Sequence, residues 1–215
     1  MPRIIYSNQI NYLQRLRITN DPLILEMEEY AYKNNVPILD WMSAELMEQL
    51  ILIHKPKKVL EIGTAIAYSS IRIAKCLRKG SAVDTIEKSK DNIKIAKENI
   101  KKARLTNFIR ILEGNALDII PHLDEKYDFI FLDADKEDYE KLFFYSLMVL
   151  KKGGVIFVDN LLWHGYAAST NVPAKYRRTT KYIREFNKLF TSSDLLKTTI
   201  LTVGDGIGIG VKIAN

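Results

Sequence analysis

The residues with the clearest chemical potential stand where two apolar runs of the chain end. Asp133 follows the run 127–132, and Asp159 and Asn160 follow the run 155–158. Short apolar runs of this kind predict buried strands, and the carboxyl ends of parallel strands meet at one edge of a sheet. Two carboxylates and an amide oxygen gathered at that edge suit a hard divalent cation such as Mg²⁺. The sequence therefore predicts a metal-assisted reaction there.

These acidic residues also have a purely structural interpretation, in which lysines or helix N-termini neutralise them. Without such partners, two buried carboxylates at neighbouring strand ends would repel each other strongly, and a cation removes that repulsion. Lys136 follows Asp133 closely in the chain. It is either a surface lysine beside Asp135 or, with its pKa lowered near a divalent cation, a general base. Asp135 itself is interpreted as a cap for the following helix.

Small and polar residues at other predicted strand ends indicate a nucleoside-containing cofactor. The turn 61–69 can bring backbone N–H groups close to a ligand, but Gly63 is its only glycine, so it also fits an ordinary tight turn. Glu87 ends the second predicted strand, where an acidic side chain accepts hydrogen bonds from ribose hydroxyls; the alternative is a solvated glutamate. Asn115, between Gly114 and Ala116, either faces an adenine or only caps the next helix.

The periodicity of the chain predicts the elements that position these residues. Asp21-Pro22 and Asp40 are helix-start signals for two N-terminal helices that end near residues 34 and 54. Strand–helix alternation then predicts an α/β fold with a doubly wound, mainly parallel seven-stranded sheet. The turn Val203-Gly204-Asp205-Gly206 predicts a hairpin, so that the last strand enters antiparallel. The predicted strands are 58–62, 82–87, 108–113, 127–133, 155–159, 195–203 and 207–213, and the intervening helices are 68–78, 90–104, 116–123, 139–150 and 174–190.

Length and composition agree with a globular enzyme. We expect one domain, 1–215, made of a helical extension, 1–55, and a core, 56–215. No apolar run approaches the length of roughly 20 residues that a spanning helix needs, and residues 1–6 do not resemble a signal peptide. The single cysteine, Cys76, cannot form an internal disulfide. These features predict a cytoplasmic protein without a membrane anchor.

The net charge of +6 is concentrated late in the chain. A basic segment that contains only one acidic residue, Glu185, carries Lys175, Arg177, Arg178, Lys181, Arg184 and Lys188. This concentration favours a polyanionic partner, although an amphipathic helix with a solvated basic face gives the same pattern. Trp163 is predicted to shape the mouth of the pocket, and His164 is a weaker candidate for approaching the substrate.

Several of these stretches, in the same order, resemble the cation-dependent class I O-methyltransferases, the family of catechol and caffeoyl-CoA O-methyltransferases. The matching stretches are 60–64, 68–69, 133–136, 159–163 and 203–206. The resemblance implies a Rossmann-like fold, S-adenosylmethionine as methyl donor, a homodimer, and Lys136 as base. It implies a divalent cation held by Asp133, Asp159 and Asn160, and a cofactor site formed by Glu61, Gly63, Thr64, Tyr68, Ser69, Glu87, Asn115, Ala116 and Asp133.

One position departs from the family pattern. Ala67 stands where the family usually has glycine. If the backbone there has positive φ, alanine costs about 1 kcal/mol relative to glycine. A slightly reshaped cofactor turn is therefore expected.

Within that family the chain is most similar to the bacterial branch that converts 5-hydroxyuridine at the tRNA wobble position to 5-methoxyuridine. Catechols offer two adjacent oxygens to a metal, and 5-hydroxyuridine offers its 5-hydroxyl and 4-carbonyl in a similar chelate. In this hypothesis the metal lowers the hydroxyl pKa, Lys136 takes the proton, and the oxyanion attacks the sulfonium methyl in line. Trp163, Lys175, Arg177 and Arg178 would contact the anticodon loop.

Two other kinds of function compete with this interpretation. The first keeps the chemistry but acts on a small catechol-like metabolite. The second is a noncatalytic nucleotide-binding or RNA-binding module. A dehydrogenase is disfavoured, because the first turn lacks the glycine triplet that a pyrophosphate requires.

Overall fold

The computed structural model describes residues 7–19 and 21–214 and divides into two compact units, residues 1–36 and 37–215. The first unit contains helices α1 (Ser7–Leu16) and α2 (Pro22–Asn34). Asp21 caps α2 as predicted, since its carboxylate accepts from the backbone N–H of Leu23 at 3.1 Å. Residues 1–6, on which the signal-peptide argument depends, lie outside the described part, and the single-domain organisation stays a prediction.

The second unit opens with α3 (Trp41–His54). Asp40 accepts from the backbone N–H groups of Met42 at 2.9 Å and Ser43 at 3.4 Å, so the predicted cap is confirmed. Lys55 ends the helix in the left-handed conformation, with φ 57°. These signals depend on neighbours in the chain alone, which is why the sequence reveals them.

In the described part of the chain, seven strands form one sheet, in the order β3-β2-β1-β4-β5-β7-β6. The strands β1 to β5 pair in parallel, and β7 runs antiparallel to both β5 and β6. The predicted doubly wound, mainly parallel sheet with an antiparallel last strand is thereby confirmed. The strands are β1 (Lys58–Ile62), β2 (Ala82–Glu87), β3 (Ile109–Glu113), β4 (Tyr127–Leu132), β5 (Leu150–Val158), β6 (Leu196–Leu201) and β7 (Ile207–Lys212).

The helices between the strands follow the predicted ranges to within a few residues. Each of α6, α7 and α8 is accompanied by one 3₁₀ turn, at Ile120–His122, Lys136–Asp138 and Ala174–Tyr176 respectively. The interpretation of Asp135 as a helix cap is wrong, because its side chain makes no cap hydrogen bond and instead forms an ion pair with Lys88 at 2.6 Å. The helices are α4 (Tyr68–Cys76), α5 (Lys90–Lys102), α6 (Ala116–Ile119), α7 (Tyr139–Val149) and α8 (Arg177–Thr191). Among the described residues, none of these helices is long and apolar enough to cross a bilayer.

The largest difference from the sequence prediction is the start of β5. The prediction ended a helix at Leu150 and began the strand at Val155, whereas Leu150 already pairs with Tyr127 of β4. The residues between them are two lysines and two glycines, which are typical of a loop. Long-range pairing decides their conformation, and Lys151 also reaches Asp128 at 2.7 Å.

The central strands bring the candidate site residues together. Most of their residues are apolar and buried because both faces of a parallel sheet are covered. Ile62 pairs with Leu132, and Leu132 with Val158, so these three strand ends lie side by side. The residues that follow, Asp133 and Asp159, therefore leave the sheet at the same edge.

Candidate active site

A cleft of about 800 Å³ opens at the carboxyl edge of the parallel strands. It lies where β1 and β4 are neighbours and the strand order reverses, the usual ligand-binding position in open α/β sheets. The predicted site residues that line it are Gly63, Glu87, Asn115, Ala116, Asp133, Lys136, Asp159, Asn160, Trp163 and Arg178. The lining does not include the other six, Glu61, Thr64, Tyr68, Ser69, Lys175 and Arg177.

Two carboxylates meet in this cleft, as the strand ends predict. Burial and the nearby charge of Asp133 raise the pKa of Asp159 to about 7. The carboxylate of Asp159 accepts a backbone hydrogen bond from Asn160 at 2.7 Å. Because burial and Asp133 both disfavour a negative charge on Asp159, either a proton or a cation is needed at this edge.

The side chains present fit a magnesium-like ion. Within the described residues there is no cluster of three or more His, Cys, Asp and Glu side chains that could hold a metal. The candidate set has instead two carboxylates, Asp133 and Asp159, and the amide oxygen of Asn160. Mg²⁺ keeps several waters and usually binds through only one or two carboxylates, so this donor set suits it.

Lys136 is nearly buried, and its ammonium group connects two elements of the site. Its Nζ donates to Asp133 Oδ1 at 2.9 Å and to Tyr139 Oη at 2.7 Å. Burial alone would lower the pKa of Lys136, but Tyr139 and Asp133 outweigh burial and the net pKa is raised. The protein groups therefore favour the charged lysine, whereas the sequence led us to expect a lowered pKa beside a cation. Its role as general base stays a prediction.

Tyr139 is a site residue that the sequence reasoning missed. Its buried hydroxyl accepts from Lys136 and donates to the backbone carbonyl of Asp159 at 3.1 Å. Burial raises the pKa of this phenol, so it stays neutral. The sequence offered one signal for it, because Tyr139 stands three residues after Lys136 at the start of a predicted helix.

Glu61 lies behind the cleft with an incompletely satisfied carboxylate. Its Oε2 accepts from Thr85 Oγ1 at 2.5 Å and from the Ser70 hydroxyl, whereas Oε1 is buried without a hydrogen-bond partner. Burial raises the pKa of Glu61 to about 7, although the hydroxyls of Ser69, Ser70 and Thr85 oppose the change. A buried oxygen without a donor suits a cationic amino group, such as that of a methionine moiety.

The turn between β1 and α4 has an unusual backbone. Gly63 has φ +105°, and a Cβ placed on it would lie 1.9 Å from the backbone oxygen of Asp133. Ala65 and Ala67 have φ 46° and 66° although neither is glycine. The positive φ considered for Ala67 is therefore present, and Gly63 allows the first turn to touch the end of β4.

Glu87 and Asn115 each have a structural role at the cleft. Glu87 accepts from the backbone N–H groups of Ala65 at 2.9 Å and Ser89 at 2.8 Å, so it joins the turn after β1 to the turn after β2. Asn115 caps α6 by accepting from Leu117 N at 3.0 Å. The cap interpretation is thus confirmed, and Asn115 also lines the cleft. Their contacts with ribose and adenine stay predictions.

Comparison with known proteins identifies the family. The family model described as O-methyltransferase matches residues 16–213. A catechol O-methyltransferase of Niastella koreensis is 31% identical over 214 residues, which cover 97% of this chain and 93% of that protein. Caffeoyl-CoA O-methyltransferase 2 of Petunia hybrida is 30% identical over 201 residues, or 88% and 83% of the two chains. The chain belongs to the O-methyltransferase family.

A solved structure supports the same assignment and the cofactor. An O-methyltransferase from Bacillus cereus in complex with SAH superposes with a TM-score of 0.81 at 30% identity, over 94% of this chain and 96% of that one. The chain is thus a class I, S-adenosylmethionine-dependent O-methyltransferase of the catechol and caffeoyl-CoA type. The resemblance seen in the sequence is confirmed at this level.

In this O-methyltransferase, an aromatic cluster of Trp163, His164, Tyr166 and Tyr176 forms beside the cleft. Its ring centroids lie between 4.9 and 6.3 Å apart, and Tyr166 stacks on Tyr176 at 5.1 Å. Trp163 and His164 line the cleft, which agrees with the predicted place of Trp163 at its mouth. Lys175 lies over the Tyr176 ring at 4.6 Å.

The basic residues of helix α8 lie on two different surfaces of the O-methyltransferase. Arg178 faces the cleft, where it forms an ion pair with Glu137 at 2.7 Å. A separate groove of about 540 Å³ is lined by four basic residues of the other surface, Arg177, Lys181, Arg184 and Lys188. These four recur at helical spacing, so one side of α8 carries them all. Lys175 and Arg177, which were predicted to bind substrate, therefore lie outside the cleft lining.

Proposed function

We propose that this O-methyltransferase methylates the 5-hydroxyl of 5-hydroxyuridine at the tRNA wobble position, giving 5-methoxyuridine, and uses a divalent cation such as Mg²⁺. The proposal rests on the aromatic and basic residues that surround Asp133 and Asp159. The cleft of Asp133 and Asp159 opens beside the aromatic cluster and beside a helix with basic residues on two surfaces. Aromatic rings that stack on a splayed base, next to cations for phosphates, are typical of single-stranded RNA recognition.

The same edge supports the proposed chemistry. Asp133, Asp159 and Asn160 would hold the ion, which when bound lowers the pKa of a coordinated hydroxyl. Lys136 is the proposed base, and Tyr139 and Asp133 both favour its charged form. A cation held by Asp133 would weaken the contribution of that carboxylate and so make proton uptake by Lys136 easier. Tyr139 keeps Lys136 oriented toward the cleft in the meantime.

The cofactor-side residues fit the methyl donor. The unpartnered oxygen of Glu61 is proposed to face the methionine part of S-adenosylmethionine, near the turn that carries Gly63 and Thr64. Glu87 has lone pairs beyond its two backbone contacts and is proposed to bind the ribose. Asn115 and Ala116 are proposed to border the adenine.

A small catechol-like substrate is the second candidate. It is favoured by the names of the relatives, a catechol O-methyltransferase and a caffeoyl-CoA O-methyltransferase. The cleft volume of about 800 Å³ is also within the usual range for small-molecule sites. On this alternative the basic surfaces of α8 are solvated and take no part in turnover.

Competition between substrates tests the proposal. The purified enzyme, with S-adenosylmethionine and Mg²⁺, is given one of two substrates over a series of salt concentrations: an anticodon stem-loop that contains 5-hydroxyuridine, or a simple catechol. We expect methyl transfer to the stem-loop. Its affinity for the enzyme should fall steeply as the salt concentration rises, because phosphate contacts release counterions. EDTA should abolish the reaction and Mg²⁺ restore it.

A cellular measurement gives an independent answer. In a strain that lacks the gene, mass spectrometry of tRNA nucleosides should show accumulated 5-hydroxyuridine and lost 5-methoxyuridine. Unchanged nucleosides, together with efficient catechol turnover in vitro, would replace the RNA proposal by the small-molecule one.

Assembly is proposed on the family resemblance, and location on the single cysteine and the lack of a long apolar run in the sequence. We propose that the enzyme is a cytoplasmic homodimer and that residues 1–215 act as one domain. Light scattering coupled to size exclusion measures the mass in solution. A homodimer would have twice the chain mass of 24.8 kDa, and a mass equal to that of one chain would contradict the proposed assembly. Limited proteolysis checks the single domain, because separate domains would release a stable fragment.

A further inference from the structure

The turn between β6 and β7 is fastened to the loop that follows β5. Two backbone hydrogen bonds join them, Leu161 N to Gly206 O at 2.9 Å and Leu162 N to Asp205 O at 2.8 Å. Gly206 makes this approach possible, since a Cβ there would lie 2.5 Å from Leu162. The turn is therefore a fixed support for the loop 160–164.

The side chain of Asp205 contacts both ends of that loop. One carboxylate oxygen accepts from the backbone N–H of His164, and the other accepts from the side-chain amide of Asn160 at 3.4 Å. Asn160, Trp163 and His164 all have positive φ, at 61°, 46° and 55°. Each such residue costs roughly 1 to 2 kcal/mol, so this loop needs support that its own sequence does not provide.

The contact also determines which way the Asn160 amide points. An asparagine side chain has one acceptor oxygen and one NH₂ donor group. When the NH₂ group donates to Asp205, the oxygen is turned away from that carboxylate. The flipped amide would place its oxygen against the negative charge of Asp205, which is repulsive.

We propose that Asp205 is a positioning residue that presents the Asn160 amide oxygen to the cation. The inference rests on the proposed cation site, and it gives the 203–206 turn a role in that site. Partners that orient metal ligands in this way typically change metal affinity by roughly 10- to 100-fold when they are removed. Asp205 acts on the ion through Asn160 and is not itself a ligand.

The test is the substitution Asp205→Asn in the full-length enzyme, measured by Mn²⁺ affinity in an electron paramagnetic resonance titration. The two donors use different oxygens of Asp205, so an asparagine, with an oxygen at one of these positions and an NH₂ group at the other, cannot accept both contacts. We expect Mn²⁺ affinity to fall at least tenfold. The affinity for SAH, measured by calorimetry, should change less than about twofold, because the cofactor-side contacts are untouched. The matched control is Asp194→Asn, which removes the same charge at an exposed position.

A double-mutant cycle separates positioning from simple charge attraction. In an Asn160→Ala background, Asp205→Asn should have almost no further effect on Mn²⁺ affinity, because no amide remains to be oriented. An equal loss in both backgrounds would mean that Asp205 acts only through its negative charge, and would overturn the inference. If Asp205→Asn does not fold, Asp205→Glu is measured in the same cycle with the same criterion.

The outcomes also distinguish this inference from the proposed function. Wild-type enzyme that binds no Mn²⁺ would contradict the cation site and the role of Asp205 together. Wild-type enzyme that binds Mn²⁺, with no coupling between Asp205 and Asn160, would overturn the positioning role alone.

Discussion

Replacement of Gly63 by alanine tests whether the cofactor turn and the end of β4 are in direct contact. A Cβ at this position would lie 1.9 Å from the backbone oxygen of Asp133. Real Cβ atoms essentially never approach closer than 3.0 Å, so one of the two segments must move by about 1 Å. Neither moves easily, because Ile62 and Leu132 are paired in adjacent buried strands.

The expected cost has two parts. Left-handed backbone costs a non-glycine residue roughly 1 to 2 kcal/mol, of which the smaller freedom of the unfolded chain returns roughly 0.4 to 1 kcal/mol. Overpacking adds about 1 to 3 kcal/mol, because backbone atoms cannot turn aside as a side chain can. The free energy of unfolding of Gly63→Ala should therefore fall by about 1 to 5 kcal/mol.

Gly80→Ala is the matched control. Gly80 also has a positive φ, +84°, but an added Cβ would meet nothing within 4 Å. Its loss of stability should be about 1 kcal/mol or less, from the backbone alone. Urea unfolding followed by far-UV circular dichroism measures both variants, and unchanged m-values would show that only stability differs.

Activity provides a second measurement of the same contact. A displacement of about 1 Å in positioning groups can cost about 100-fold in rate, so Gly63→Ala should lose methyl transfer, whereas Gly80→Ala should retain it. Equal stabilities for the two variants would refute the reasoning, because the clash with Asp133 is the difference in stability claimed between them. The rates also reflect the place of Gly63 in the cleft lining.

Three further predictions follow from the site. Ala67→Gly should raise the free energy of unfolding by up to about 1 kcal/mol in urea titrations, since Ala67 has a left-handed backbone. Burial raises the pKa of Glu61 from its ordinary value of 4.5 to about 7, so its ionisation removes stability as pH rises through this range. Glu61→Gln should therefore lessen the loss of stability between pH 5 and 7.5 by up to about 3 kcal/mol, measured by urea unfolding at each pH. Lys181→Gln should reduce the slope of log binding constant against log salt concentration for RNA by about one, whereas Lys94→Gln on α5 should leave this slope unchanged. Equal slopes for the two variants would mean that the groove beside α8 does not bind RNA.

The parts of the fold that the sequence predicted depend on local signals. Asp21 and Asp40 cap their helices through residues two and three positions away. The strand β1 keeps its predicted bounds because a buried apolar run ends at Gly63. The edge where Asp133 and Asp159 meet followed from the general geometry of parallel sheets.

The parts that the sequence did not predict depend on distant contacts. The early start of β5 is decided by Leu150 pairing with Tyr127, against a loop-like composition. The contact of Asp205 with Asn160 joins residues that are 45 positions apart. Nothing near Asp205 in the chain indicates it, because a glycine-rich turn is already explained by the hairpin.

The two sides of the cleft differ in how firmly the fold holds them. Asp133 and Asp159 extend from buried, paired strands, and Gly63 contacts the same strand end, so the side proposed to bind the cofactor and the cation is part of the sheet. Arg178 comes from an exposed surface of α8, which neighbours in the sheet constrain far less, whereas the loop that carries Trp163 is held by the 203–206 turn. Function commonly varies through loops on a constant scaffold. Methyl transfer to a hydroxyl that has a second oxygen beside it is therefore expected to be common to the family. The loop after β5 and helix α8 are expected to decide which substrate molecule is bound.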